Sequence, residues 1–339
     1  MIAGDGIGPE LSESALSVIE AVSDGGGPDL DVVRLEAGDG ALARTGSALP
    51  AETLSAIRES DACLKAPVGE SAADVIVVLR RTLDLYANVR PARSYPGTPA
   101  LRDDIDMVIV RENTEDLYTG KEFEVDRGQA AVALRVISRE ASTRIARHAF
   151  ETARRRGSKM RVTCVHKSNV MRVTDGLFAG ACASVADHYP DVSFDQMYVD
   201  ACAMNLIRQP QEFDVIVTTN LFGDILSDES SQVVGGLGMA PAANIGDKFA
   251  LFEPVHGAGF DIAGQNVANP SSFLLSVSMM LDWLGGRNDD ESCMRGSALI
   301  ESAVLGLARS GIATTDVGGS CTTSEFTKHV VRRIKEDGI

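Results

Sequence analysis

The 339-residue chain has no C-x-x-C pair, no long apolar run, no excess of basic residues and no internal repeat. Each absence excludes a class of protein. The six cysteines, Cys63, Cys164, Cys182, Cys202, Cys293 and Cys321, lack suitably spaced histidines and sit mostly in apolar contexts. They read as free thiols in a reducing, cytoplasmic compartment, which excludes a disulfide framework or zinc motif. No stretch is long and apolar enough to cross a bilayer. Lys and Arg total 32 against 48 Asp and Glu, for a formal net charge of −16, and lysine is sparse. That balance argues against nucleic acid and anionic membranes as partners. No secretory leader precedes Gly4-Asp-Gly-Ile-Gly8, and the opening strand would have only Met1 to Ala3. The sequence therefore suggests a start upstream. A third glycine is also missing, because Pro9 stands where the dinucleotide fingerprint requires one. The glycine-rich start reads as a tight turn near a ligand.

What is present is an α/β pattern. Hydrophobic residues make up 44% of the chain, enough for a sizeable core. Helical spacing of apolar residues predicts helices over 9–23, 71–86, 138–156, 176–188, 271–285 and 295–310. The helix at 71–86 is expected to end before Arg90-Pro91. Strands are expected at 30–35, 107–110, 161–165 and 213–219, with a hairpin at 122–137 turning at Asp126-Arg-Gly128. Strands alternating with helices indicate α/β architecture. No composition shift marks a domain boundary.

The most informative run is Asn220-Leu-Phe-Gly-Asp-Ile-Leu-Ser-Asp228. Asp224 and Asp228 share a helix face, with Cβ atoms about 5–6 Å apart. Two carboxylates so close repel unless a cation lies between them. The apolar strand before them would deliver the pair to the carboxyl end of a sheet, where α/β folds bind ligands. Oxygen-only ligands suit Mg²⁺ or Mn²⁺ that also holds a substrate oxygen. Taken alone, the pair also suits the acid-favouring first turn of any helix. Arg80, Arg90 and Arg111 follow element ends and suit carboxylate recognition, though singly each is commonly a surface residue. Tyr118 and Lys167 are candidate acid and base. Asp200, another strand-end carboxylate, could complete a metal shell. His256-Gly-Ala-Gly-Phe-Asp-Ile-Ala-Gly264 is a small-residue loop that backbone could use to approach a nucleotide, and its Asp261 suits a ribose diol.

Together these segments resemble the β-decarboxylating dehydrogenases acting on isocitrate, 3-isopropylmalate, homoisocitrate or D-malate. The resemblance runs nearly end to end. It is carried by Gly4-Asp-Gly-Ile-Gly-Pro-Glu10, Leu85-Tyr-Ala-Asn-Val-Arg-Pro-Ala-Arg93, Val110-Arg-Glu-Asn-Thr-Glu-Asp-Leu-Tyr118 and Val165-His-Lys-Ser-Asn-Val170. Asn220 to Asp228, Phe252-Glu-Pro-Val-His-Gly257 and Asp261-Ile-Ala-Gly264 extend it. The resemblance implies two α/β domains sharing a mixed central sheet, not a Rossmann fold. Residues 1–98 and 249–339 would form a discontinuous cofactor-binding domain. Residues 99–248 would form the substrate, metal and dimerisation domain, with an arm at about 122–137 interlocking two subunits of a homodimer or higher homo-oligomer. It further implies that Arg80, Arg90 and Arg111 bind the malate carboxylates. Asp200, Asp224 and Asp228 hold the metal, with Lys167 and Asp200 supplied by the second subunit. Lys167 takes the hydroxyl proton and Tyr118 reprotonates the enolate. His256, Gly257, Asp261, Ile262 and Asn269 contact the cofactor. Asp261-Ile262 resembles members that use NAD. Phe260 departs from the proline frequent in the family at that point.

Substrate choice in this family is set on the helix before Arg80. Isocitrate-using members place Ser and Asn there for a third carboxylate; here Asp74 and Ile76 take those positions. An apolar side chain cannot solvate a carboxylate and an aspartate repels one. Ala73-Asp-Val-Ile-Val, with Val75 and Val77 backing Ile76, resembles archaeal members acting on 3-isopropylmalate in leucine biosynthesis. Isocitrate, homoisocitrate and D-malate are the alternatives. A catalytically silent regulatory subunit is disfavoured, since the metal aspartates, Lys167 and Tyr118 are all retained.

Overall fold

The computed structural model describes residues 1–338. Among the described residues there are ten strands: β1 (Cys63–Leu64), β2 (Ala87–Arg93), β3 (Asp106–Glu112), β4 (Glu122–Val125), β5 (Ala130–Ala133), β6 (Arg161–His166), β7 (Ser193–Tyr198), β8 (Val215–Thr218), β9 (Pro241–Ile245) and β10 (Ala250–Pro254). The helices are α1 (Gly8–Asp24), α2 (Asp39–Thr45), α3 (Ala51–Glu59), α4 (Ala72–Thr82), α5 (Arg139–Arg156), α6 (Thr174–Ala186), α7 (Val199–Arg208), α8 (Asn220–Val233), α9 (Ser271–Asn288), α10 (Glu291–Arg309) and α11 (Thr323–Asp337). Eight strands form one mixed sheet in the order β1-β10-β9-β2-β3-β8-β6-β7, and β4 and β5 form a separate hairpin.

Alternation along the strands builds a layer on each face. Val89, Val108, Val110, Val215 and Val217 face one continuous core under α1, α5, α6, α9, α10 and α11. The opposite face carries two separate clusters. One packs Val75 and Leu79 of α4 against Cys63 and Leu251. The other packs Cys202, Leu206 and Leu226 of α7 and α8 against Met107, Ile109 and Ile216. Between them lies a strip of sheet with no apolar cover, and the candidate site occupies it.

Two expectations need correction. Residues 30–35 form no strand; only Leu35 bridges to Ile2, because Asp29, Asp31 and an exposed Val33 interrupt the apolar face. The helix before Arg90 stops at Thr82, where Asp84 turns left-handed with φ 49°. Arg90 and Pro91 then lie inside β2. Proline is tolerated there because β9 pairs with β2 only as far as Val89, so the missing N–H leaves no ladder partner unsatisfied on that side. The hairpin turn falls on Asp126-Arg127-Gly128, all with positive φ. The six cysteines are free, five of them buried. No helix among the described residues is long and apolar enough to cross a membrane.

Candidate active site

Pleating and register collect the polar groups. Asn88 of β2 pairs with Arg111 of β3 on one side and Asn244 of β9 on the other. These three, with Arg90 and Glu253, share the face that the two apolar clusters leave open. Arg80 enters from the last turn of α4, and Asp224 and Asp228 from the second and third turns of α8. Arg111 Nε donates to Asn220 Oδ1 at 2.9 Å and its Nη1 to Asp224 Oδ1. Arg90 Nη1 donates to Asp228 Oδ1 at 3.2 Å, and its Nη2 lies 3.5 Å from Asp224. Tyr118 Oη donates to Asp224 Oδ2 at 2.5 Å. Gly223 makes room for this arrangement, because a Cβ there would lie 2.5 Å from Arg111 Cγ.

Environment separates the two aspartates. Burial alone would raise Asp224, but Arg111, the Tyr118 hydroxyl and Arg90 hold it below the ordinary carboxylate range. Asp228 is raised, mainly by burial and also by the Asp224 charge, against the pull of Arg90. Burial and the Asp224 hydrogen bond raise Tyr118, keeping its proton in place at neutral pH. Burial draws Arg80 down to about 10, still cationic at neutral pH.

With that geometry in view, the comparisons with known proteins are decisive. The family model for isocitrate/isopropylmalate dehydrogenase matches residues 1–330. The chain belongs to this family. It is 51% identical over 335 residues to the 3-isopropylmalate dehydrogenase of Sulfurisphaera tokodaii, covering 98% of each chain. It is 50% identical over 333 residues to that of Saccharolobus solfataricus, again covering 98% of each. The crystal structure of isocitrate dehydrogenase from Methylococcus capsulatus superposes with a TM-score of 0.91 at 42% identity, covering 98% of both chains. The mixed central sheet is thus the fold of the isocitrate/isopropylmalate dehydrogenases.

The residues expected at the site in this family divide into groups. Arg80, Arg90, Arg111, Tyr118, Asp224 and Asp228 converge on the open strip. Ile76 lies on a cavity of about 190 Å³ whose wall also includes Val68, Ala72, Arg80, Arg90, Glu253, His256 and Gly257. Val75, expected to back Ile76, enters the core, and Asp74, expected beside the substrate, faces solvent. Spacing on α4 explains this, since neighbours in sequence do not share a helix face. Ala72, one turn earlier, and Val68 share the apolar wall instead.

Lys167 directly follows β6 and pairs with Asp200 at the start of α7 rather than with Asp224. That pairing holds the exposed Asp200 below the ordinary carboxylate range. Among the described residues, no three His, Cys, Asp or Glu side chains of one chain could hold a metal ion. Asp224 and Asp228 offer the all-oxygen set that a hard divalent cation takes, and they suit it only with oxygens supplied from outside this chain.

The loop after β10 presents the remaining group. His256 Nδ1 faces Gly257 O at 3.1 Å, while its Nε2 is buried without a hydrogen-bond partner. Burial lowers the His256 pKa, so the ring is neutral; with its Nδ1–H donated to Gly257 O, its Nε2 is an acceptor. A buried polar atom lacking a partner fits a bound ligand. Asp261 and Gly257 are exposed and Ile262 is half-buried. Asn269 is buried; its Nδ2 donates to Asp316 Oδ2 at 3.0 Å and its Oδ1 accepts from Ser271 N at 2.9 Å. The opening glycines serve this loop through close packing. A Cβ on Gly6 would lie 2.0 Å from Ala258 O, and one on Gly4 would lie 1.9 Å from Pro67 O. Both have positive φ. Phe260 lies against Gly69, where a Cβ would meet its Cζ at 2.8 Å.

Sequence reasoning missed the polar network behind the arginines. Lys65 Nζ lies 2.8 Å from Glu253 Oε2. Asn244 Oδ1 accepts from Arg80 Nε, Asn88 Nδ2 and Asn113 Nδ2 at 2.9, 2.9 and 3.0 Å. Burial opposes ionisation of Glu253, yet Lys65 and Arg80 hold it down to about 2. Glu253 lies in the recognised Phe252-Glu-Pro segment, which was a signal available in the sequence. Lys65 had none, since no motif marks it.

Proposed function

We propose that this enzyme oxidatively decarboxylates 3-isopropylmalate to 4-methyl-2-oxopentanoate, using NAD and Mg²⁺ or Mn²⁺, in a homodimer with shared active sites. The observation that carries the substrate reading is the apolar wall of Ile76, Ala72 and Val68 beside Arg80 and Arg90. An isopropyl group fits there. The nearby Lys65 ammonium is already bound to Glu253 and is not free to meet a third carboxylate. The names of the archaeal relatives support the same substrate.

Arg80, Arg90 and Arg111 hold the malate carboxylates through their planar forks. A divalent cation held by Asp224 and Asp228 would supply charge stabilisation at the substrate oxygens, and NAD, when bound, would supply the hydride acceptor for C2. The partner's Lys167 takes the hydroxyl proton at Nζ. Departure of CO₂ leaves an electron pair on C3, and Tyr118 Oη delivers its proton there. His256, Asp261, Ile262 and Asn269 hold the adenosine half of NAD.

Sharing of sites is supported by the exposed apolar side chains around Lys167 and α8. Val170, Val173, Met204, Ile207 and Ile225 are all more than half exposed. Covering them with a second copy would bring that copy's Lys167 and Asp200 toward Asp224, and the β4–β5 arm would interlock the pair. The proposed cofactor side, residues 1–98 and the chain from 249 onward, also takes in β9, which lies between β10 and β2. Initial rates with 3-isopropylmalate, isocitrate, homoisocitrate and D-malate, at fixed NAD and Mg²⁺, test the substrate. Highest kcat/KM for 3-isopropylmalate is expected; isocitrate equalling it overturns the substrate reading.

A further inference from the structure

After β5 the chain returns to the body with Leu134 and Val136 exposed and Arg135 turned inward. Arg135 Nε donates to Asp116 Oδ1 at 2.6 Å, and Nη2 lies 3.3 Å from Asp116 Oδ2. Its Nη1 donates to Asp175 Oδ1 at 2.5 Å and its Nη2 to Thr219 Oγ1 at 2.7 Å. Both aspartates are wholly buried, and the guanidinium lies 4.8 Å from the Phe222 ring centroid. Each carboxylate passes the contact on to backbone beside a reactive group. Asp175 Oδ2 accepts the N–H of Lys167 at 2.6 Å. Asp116 Oδ1 accepts the N–H of Leu117, next to Tyr118, at 2.9 Å. Asp116 Oδ2 accepts the N–H of Leu221, in the first turn of α8, at 3.1 Å. Thr219 is the residue that caps α8, ahead of Asp224.

We infer that Arg135 is a positioning residue common to both active sites of the dimer. Through Asp175 it fixes Lys167 for the partner's site, and through Asp116 and Thr219 it fixes Tyr118 and Asp224 for its own. The inference rests on the shared-site reading above. One guanidinium can do this because its fork spans two carboxylates and a hydroxyl at fixed angles; an ammonium cannot. Its place directly after the arm ties the geometry of both sites to the seating of that arm.

The test uses mixed dimers from two differently tagged chains, one Lys167→Ala and the other Asp224→Asn. Such a dimer has one intact site, built from Tyr118 and Asp224 of the first chain and Lys167 of the second. Arg135→Lys is then added to either chain. The expected result is a kcat loss of about 10- to 100-fold from either chain, the scale of a misplaced reactive group. Substrate KM should stay within about threefold, marking lost alignment rather than lost binding. Asp175→Asn should lower kcat more in the chain supplying Lys167, and Asp116→Asn more in the chain supplying Asp224. These two variants carry the test if Arg135→Lys fails to fold. A lower melting temperature with kcat intact overturns the inference, as does loss from one chain only or equal effects of the two aspartate variants. An inactive mixed dimer with Arg135 intact overturns the shared-site reading itself, and the two-site role with it.

Discussion

Tyr118 Oη and Arg111 Nη1 bind the two oxygens of one carboxylate, Asp224. The groups proposed to protonate carbon, to bind a substrate carboxylate and to hold the metal are therefore set by a single side chain. Rearranging that side chain re-aims all three.

Asp224→Asn should abolish turnover at ordinary Mg²⁺ while leaving the fold intact, since the amide keeps an acceptor for Arg111. Lys167→Ala should lower kcat by roughly 10²–10⁴-fold, the usual worth of a positioned base. Its pairing with the exposed Asp200 is a solvent-screened surface ion pair, so melting should barely change. Steady-state kinetics with circular-dichroism melts checks both. An active Asp224→Asn enzyme would remove the metal assignment.

Strong preference for NAD over NADP is expected. Asp261 is exposed on the loop, ready to accept from a ribose 2′-hydroxyl and to repel a 2′-phosphate. The ratio of kcat/KM for the two cofactors measures it, and a ratio near one contradicts the role given to Asp261.

Burying an isopropyl group against Ile76 should contribute about 1.5–3 kcal/mol. That corresponds to a preference over isocitrate of roughly 10- to 10²-fold, at about 1.4 kcal/mol per tenfold. Ile76→Asn should narrow the gap, mainly by raising KM for 3-isopropylmalate. Unchanged specificity in that variant would move the determinant elsewhere on the cavity wall.

Acid stability should depend on His148. Burial draws its imidazole from 6.5 down to about 4, and its Nε2 is buried without a partner beside the Tyr86 ring. The folded pKa lies below the unfolded one, so folding favours the neutral ring. The contribution is complete above pH 6.5 and is lost as pH falls from 6.5 toward 4. The slope in that window is at most about 1.4 kcal/mol per pH unit. His148→Phe should flatten the decline in urea-melt stability between those pH values. An equally steep decline in the variant would assign the acid sensitivity to other groups.

The sequence by itself determined the helices of strong period, the hairpin turn and the family. Those signals are local: apolar spacing, left-handed turn residues and ordered motifs act over a few residues at a time. Asp224 and Asp228 were legible for the same reason, four apart on one helix. Residues 30–35 misled because alternation alone does not supply a pairing partner, and the helix before Arg90 was drawn too long because Asp84 could not be seen turning left-handed. Only the tertiary structure decided that Asp74 and Val75 leave the cavity, that Lys65 and Glu253 neutralise each other behind Arg80, and that Arg135 joins Asp116 to Asp175. Those contacts link residues 19 to 188 positions apart. Their energy depends on burial and strand register, which the order of residues does not display.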